Sequence, residues 1–271
     1  MLQRIRWDEG GMNRSTLLSV HRLRTLVCTV VLAWQVFEHT PIALAANRDE
    51  YLSRPSEQPR RRDWEQPVIA PLDRKAGGTW FGYNQHELVV TITNRWRDGD
   101  VDADRSRGLL VRDALGCESA IEAAQVVERE LDVRIYDGFH LLLVDETAAI
   151  LVTWDGVRDV QTLGPGVHLV VNVGVNGSYV VPSEYERAGN QQAASAEKIS
   201  AALVPEPGEL ANSWLDRAGS VLSDHEYGAC LHRGEFGTKS STLFGLGDDV
   251  TYRFAPGPPC ENDYESVEET F

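Results

Sequence analysis

The chain has 271 residues and a formal charge of -15, with 26 Lys and Arg against 41 Asp and Glu. That length suits one large domain with a well-buried core, and no Pro/Gly/Ser-rich linker divides it. The charge argues against nucleic acid or an anionic membrane surface as partner, since both attract basic faces. Lysine is confined to Lys75, Lys198 and Lys239, and with the carboxylate excess this resembles the hydrated acidic surfaces of proteins from salt-loving cells. The four cysteines, Cys28, Cys117, Cys230 and Cys260, lack a CxxC pair, and the seven histidines lack metal-ligand spacing. The pattern therefore predicts neither a disulfide framework nor a zinc site, but reduced thiols in a cytoplasmic protein. No run is long enough to predict a transmembrane helix.

Residues 1–27 stand apart, with five arginines against Asp8 and Glu9; the remainder has 21 basic and 39 acidic residues, a balance of -18. The shift falls just before Cys28. Two expectations follow: translation begins at Val27, read from a non-standard start codon, or residues 1–27 are a pro-segment cut before Cys28. A third reading is a secretory signal, with the apolar run 25–37 and Ala43-Leu44-Ala45 as its cleavage site, which would discard Cys28 and expose Ala46. Glu38 and His39 interrupt that run and count against it.

The apolar runs 28–35 and 42–46, around Glu38-His39-Thr40-Pro41, predict a hairpin that returns Asn47-Arg48-Asp49-Glu50 to the side of Cys28. Residues 54–67, with three prolines and Arg60-Arg61-Arg62, read as a solvated loop. Strands are predicted at 79–83 and 88–93 around a turn at 84–87. A helix begins at Ser106, and a second follows Cys117 through Ile121, Ala124, Val127 and Leu131. Strands resume at 139–144, 149–154 and 167–171. Helices follow at 194–203, with Pro182 in a first turn, and at 207–222. Strands at 241–246 and 250–254 flank Gly247-Asp248-Asp249, and 256–271 reads as a disordered acidic tail. This order predicts an α+β fold, a four-layer αββα sandwich over 28–255. Asp98, Asp100, Asp102 and Asp104 alternate like a calcium loop without its glycine and terminal glutamate, so they read as a hydrated acidic loop and no metal is expected.

Cys28-Thr29, Asn47-Arg48-Asp49-Glu50, Gly77-Gly78-Thr79-Trp80-Phe81-Gly82, Thr93-Asn94-Arg95, Ser106-Arg107-Gly108 and the run from Gly237 to Thr242 form an ordered set. Together they resemble the NRDE family, the transport and Golgi organisation protein two-like proteins, and through it the amino-terminal nucleophile (Ntn) hydrolases of the cholylglycine hydrolase type. The resemblance implies Cys28 as first residue and nucleophile, its α-amine as base, Arg48 steadying the sulfur, Asp49 orienting the amine, and two asparagines as oxyanion donors. Asn84, Asn94 and Asn172, each just beyond an apolar strand, are the candidates. Strand alternation sets Asn47 and Asp49 opposite Arg48, so the choice between Asp49 and Glu50 stays open.

Asn47, Glu50, Trp80, Asn84 and Lys239 are candidate substrate-binding residues. Lys239 stands where the family more often has arginine, keeping charge without a bidentate fork. The plainer readings are a buried thiol in a core strand, a salt-bridged strand end, turn asparagines and a core tryptophan after a glycine turn. The function expected is hydrolysis of a linear amide or related acyl bond without a cofactor. The alternative is a non-enzymatic haem- or acyl-lipid-binding or trafficking protein using the same cleft.

Overall fold

A computed structural model describes residues 28–271; the expectations for residues 1–27 lie outside the described residues. The predicted hairpin forms, as β1 (Thr29–Phe37) and β2 (Thr40–Tyr51). Both strands are apolar on both faces because each is covered twice. Val30, Leu32, Ile42 and Leu44 face a second sheet, while Val31, Ala33, Ala43 and Ala45 face helices. The alanines on the helix side let helix and sheet approach closely.

The other strands are β3 (Ser56–Asp63), β4 (Pro67–Asp73), β5 (Phe81–Asn84), β6 (Val89–Asn94), β7 (Phe139–Val144), β8 (Ala149–Trp154), β9 (Arg158–Thr162) and β10 (Gly166–Val171). After them come β11 (Gly174–Val175), β12 (Ser178–Tyr179), β13 (His232–Arg233), β14 (Phe236–Leu246), β15 (Thr251–Ala255) and β16 (Glu265–Ser266). The helices are α1 (Arg107–Ala114), α2 (Ala120–Val133), α3 (Glu186–Ala202) and α4 (Ala211–Ser223). Among the described residues the first sheet runs β12-β11-β10-β1-β2-β14-β15-β16, with β13 also paired to β14, and the second runs β3 to β9 in sequence order.

The sheets face each other through Leu32, Ile42, Leu44 and Phe244 on one side and Phe81, Val89 and Leu142 on the other. Each such side chain contributes about 1.5–3 kcal/mol by leaving water. Trp214 and Leu215 of α4 and Ile199 of α3 cover the outer face of the first sheet. Leu110 of α1 and Val127 of α2 cover the second. The result is the four-layer αββα sandwich.

Several local expectations are corrected. Residues 56–63 of the expected loop form β3, because Arg62 is buried with its Nε donating to Ala70 O (2.8 Å) and its Nη1 to Glu57 (3.1 Å), a pattern that reads as solvated charge in sequence. The exposed strand β9 has no apolar alternation to announce it. α3 begins at Glu186 and α4 only at Ala211. β14 begins at Phe236, five residues before its apolar run, because the buried Thr238 hydroxyl is satisfied by Asp49 and by Leu231 N, and the polar Thr238 and Ser240 sit on a buried strand. The tail expected to be disordered is packed. β16 pairs with β15, the Tyr264 hydroxyl lies 2.7 Å from Ser241 Oγ, and the Phe271 ring meets that of Tyr83 at 5.2 Å. Its acidic composition hid these aromatic anchors.

The glycine motif before β5 has a steric explanation. A Cβ on Gly78 would stand 2.1 Å from the backbone of Gly108, and Thr79 N donates to Gly108 O at 3.0 Å. Two motif segments thus cross backbone to backbone, which brings Trp80 and Arg107 to one place. Gly77 has φ +75° and open space around its Cβ position. Gly78→Ala is therefore expected to cost more than about 3 kcal/mol in urea denaturation, at or beyond the usual range for overpacking. Gly77→Ala should cost about 1 kcal/mol, through backbone conformation alone; equal losses would contradict the crossing.

Candidate active site

Strand register builds the site. Thr29 pairs with Asn47 across β1–β2 and with Val171 across β1–β10, so Cys28, one residue earlier, lies opposite Arg48 and Asn172. Its backbone nitrogen donates to Asn172 Oδ1 at 2.8 Å. Asn172 is fully buried and held from two further sides: Gln192 Nε2 donates to the same Oδ1 (2.8 Å), and its own Nδ2 donates to Asn94 O (2.7 Å). Cys28, Arg48, Trp80, Asn94 and Arg107 line one cavity of about 370 Å³.

Alternation along β2 sorts the polar cluster. Arg48 points to the cavity, with its guanidinium carbon 4.0 Å from the Trp80 ring centroid and Nη2 3.5 Å from Glu50 Oε2. Arg48 Nη1 is buried with no hydrogen-bond partner among the described residues. Asn47 and Asp49 turn to the helix side. Asn47 Nδ2 donates to Leu222 O (2.9 Å) and Ala229 O (3.0 Å), and Thr238 Oγ1 donates to Asp49 Oδ1 (2.5 Å). The group that meets the Cys28 nitrogen is therefore Asn172. Asp49 approaches Cys28 through its main chain, its carbonyl oxygen 3.9 Å from Cys28 Sγ.

Burial dominates the electrostatics. It pushes the Cys28 thiol up to about 12, with the Asp49 charge acting in the same direction and Arg48 against it. Burial also raises Asp49 to about 8, opposed by the Thr238 hydrogen bond and by Arg233 and Arg48. Asp49 Oδ2 is correspondingly buried without a partner. Burial lowers Arg48 and Arg107, which Glu50 and Asp137 respectively oppose.

Two candidates stand elsewhere. Asn84 is fully buried and does not line the cavity; its side chain donates to Leu115 O and Cys117 O and accepts from His86 N and Leu88 N, closing the β5–β6 turn. Lys239 sits at a bulge, where the pairing of β14 with β2 shifts between Thr238 and Ser240, and its Nζ donates to Leu52 O at 2.6 Å. The extra residue turns it away from the cavity. Asp98 holds the turn at Ser183–Tyr185, accepting from Ser183 Oγ (3.1 Å) and Glu184 N (3.0 Å).

Sequence reasoning missed Arg107, Thr238 and Gln192 as site residues. The first two lie inside quoted motifs, whereas Gln192, in the middle of α3, carries no local signal. Among the described residues no helix is long and apolar enough to cross a membrane.

Asp49 gives a pH test. The unfolded carboxyl ionises near 3.8, while the folded one holds its proton to about 8. Native protein therefore binds more protons between these values, and stability falls as pH rises through that window. Asp49→Asn should remove this decline. Urea melts at pH 5 and pH 8 should show the native chain losing at least about 1.4 kcal/mol more than the variant, the equivalent of one pKa unit. Equal losses would contradict a buried neutral Asp49.

A family model described as Transport and Golgi organisation 2 matches residues 27–229. The Transport and Golgi organization protein 2 homolog of Bos taurus is 24% identical over 225 residues, covering 74% of this chain and 80% of that protein. The Homo sapiens homolog is 30% identical over 112 residues, 40% of each. Among solved structures, penicillin V acylase from Agrobacterium tumefaciens is similar with a TM-score of 0.52 and 15% identity, over 84% of this chain and 83% of that one. The Caenorhabditis elegans ortholog of N-acylethanolamine-hydrolyzing acid amidase gives 0.54 and 14%, over 82% and 94%. These likenesses speak for the fold, that of the Ntn hydrolases. With the family model covering well over half of its length, the chain belongs to the Transport and Golgi organisation 2, or NRDE, family.

Proposed function

We propose that this protein is an amino-terminal cysteine amidohydrolase acting on a small linear amide or related acyl bond, with Cys28 exposed as residue one by the true start site or by cleavage after residue 27. The observation that carries the reading is the Cys28 nitrogen 2.8 Å from the buried Asn172 Oδ1, with the residue on a cavity wall beside Arg48. A backbone amide gains one hydrogen bond there; an α-amine would gain a fixed orientation toward its own thiol. Two fold neighbours are named as an acylase and an amidase, which supports the same class.

The chemistry follows from the acidities. A thiol pushed up to about 12 is not a standing thiolate, whereas a free α-amine ordinarily titrates near 7.7–8. The amine takes the thiol proton as sulfur attacks the carbonyl carbon. The C–N bond then breaks and the ammonium returns that proton to the departing amine. Water next adds to the thioester, releasing the acid and restoring the thiol. Arg48 Nη1, buried without a partner, suits the developing oxyanion or a substrate carboxylate, and Asn94, which lines the same cavity, is the second donor in this reading. Asn172 is the orienting residue, since its Nδ2 is committed to Asn94 O. Asp49 supports β2 through Thr238.

Haem is the second reading: the lining offers Cys28, Tyr51 and Tyr185 as axial-ligand types, but burial holds the Cys28 sulfur as a thiol and not the thiolate that would bind iron.

The test uses chains that begin at Cys28, verified by intact mass, and chains that retain one residue before it. N-acyl p-nitroanilides with graded acyl groups serve as probes. An acyl adduct on Cys28 is expected, with release at least about 100-fold slower when the amine is blocked, the lower bound for lost acid–base catalysis, and none in Cys28→Ala. Absence of any adduct, together with saturable acyl-chain binding that survives Cys28→Ala, would replace the hydrolase with a binding protein.

A further inference from the structure

Four metal-type donors that the proposed chemistry does not use meet beside the first sheet. His225 lies just after α4, Cys230 lies in the loop before β13, His232 begins that strand, and Cys260 comes from the C-terminal segment. One ligand atom from each lies within 4.8 Å of all the others. Cys260 Sγ is 3.3 Å from Cys230 Sγ and 3.0 Å from His232 Nε2, and Cys230 Sγ is 3.9 Å from His232 Nε2. The two imidazole rings are 5.3 Å apart.

Tetrahedral zinc with about 2.3 Å bonds to sulfur and about 2.0–2.1 Å bonds to nitrogen spaces its ligand atoms by roughly 3.3–3.8 Å. The observed distances straddle that range. Two thiols and two imidazoles are also the donor set zinc prefers over magnesium or calcium. Glu261 adds an independent feature. Its Oε1 lies 3.8 Å from His232 Nδ1, the ring nitrogen left over when Nε2 faces the cluster. At that distance it is not hydrogen-bonded, but it stands on the side from which a carboxylate commonly supports a metal-bound histidine.

We propose that His225, Cys230, His232 and Cys260 bind one Zn²⁺ in a closed, structural Cys₂His₂ site. Binding releases the two thiol protons to solvent and changes no oxidation state. The ion joins the C-terminal segment to the loop before β13, which explains why an acidic, proline-rich tail is packed. That loop is tied to the cavity wall: Leu231 N donates to Thr238 Oγ1 (2.9 Å), which donates to Asp49, and Asn47 donates to Ala229 O. The metal thus braces β2 from the helix side, 30 residues of chain being closed between Cys230 and Cys260. Sequence spacing concealed the site, because Cys230-x-His232 is the one short-range pair in the set.

The test is metal analysis of untagged full-length protein, reduced, equilibrated with zinc and freed of excess ion by gel filtration. About one zinc per chain is expected, with occupancy falling below about a tenth in Cys260→Ser and in His232→Ala and remaining in Cys28→Ala, as for a site whose binding energy needs all four ligands. Cobalt(II) in place of zinc should give thiolate-to-metal charge-transfer absorption, a readout made on the native sequence and independent of whether the variants fold. Absence of zinc and of that absorption would overturn the proposal. So would zinc retained in Cys260→Ser and His232→Ala, or a Cys230–Cys260 disulfide found in most of the protein from its native cells.

Discussion

Hydrogen bonding of β1 to β2 on one side and to β10 on the other determines the geometry of the cavity. Because side chains alternate with a period of two, this register places Cys28 on the same face as Val30 and Leu32, toward the second sheet. A slip of one residue would turn the thiol to the helices and set Leu32 against them. Burial on both faces of β1 and β2 makes such a slip expensive, since each buried aliphatic side chain is worth about 1.5–3 kcal/mol. The same hydrophobic pattern that stabilises the sandwich therefore aims Cys28 at Arg48 and sets its nitrogen on Asn172.

The polar groups beside this core are arranged on two faces of one strand. Arg48 and Glu50 occupy the cavity side with Trp80, and Asn47 and Asp49 hold the helix side through Leu222, Ala229 and Thr238. Burial raises both Cys28 and Asp49, so neither carries a standing charge near neutrality in this chain. Arg48 remains as a buried cation with an unpartnered Nη1, in a cavity that it shares with a thiol and not a thiolate. A cavity in that state favours chemistry in which negative charge appears during reaction. The glycine crossing at Gly78 and Gly108 completes it by bringing Trp80 and Arg107 to the same wall.

Much of this was legible in the sequence. The two apolar runs around Glu38-His39 predicted the hairpin, and alternation along β2 already separated Arg48 from Asp49. Helices after Ser106 and Cys117 followed from caps and spacing, and Ser106 does accept from Gly108 N. What escaped depends on tertiary contacts. Arg62 reads as a surface charge until its bonds to Ala70 and Glu57 are seen. Asn84 and Asn172 look alike, each following an apolar run, yet one closes a turn and the other meets Cys28, a difference set by neighbouring strands. Lys239 is misread without the bulge beside it. The histidine and cysteine cluster joins residues 225 to 260 through folding alone.

The central claim is that Cys28 works as residue one, with its α-amine on Asn172. The most direct measurement is the intact mass and amino-terminal sequence of the protein isolated from its native cells. The account predicts a chain that begins at Cys28. A chain that begins at residue 27 or earlier would leave the nitrogen as an amide, unable to take the thiol proton, and would contradict the mechanism.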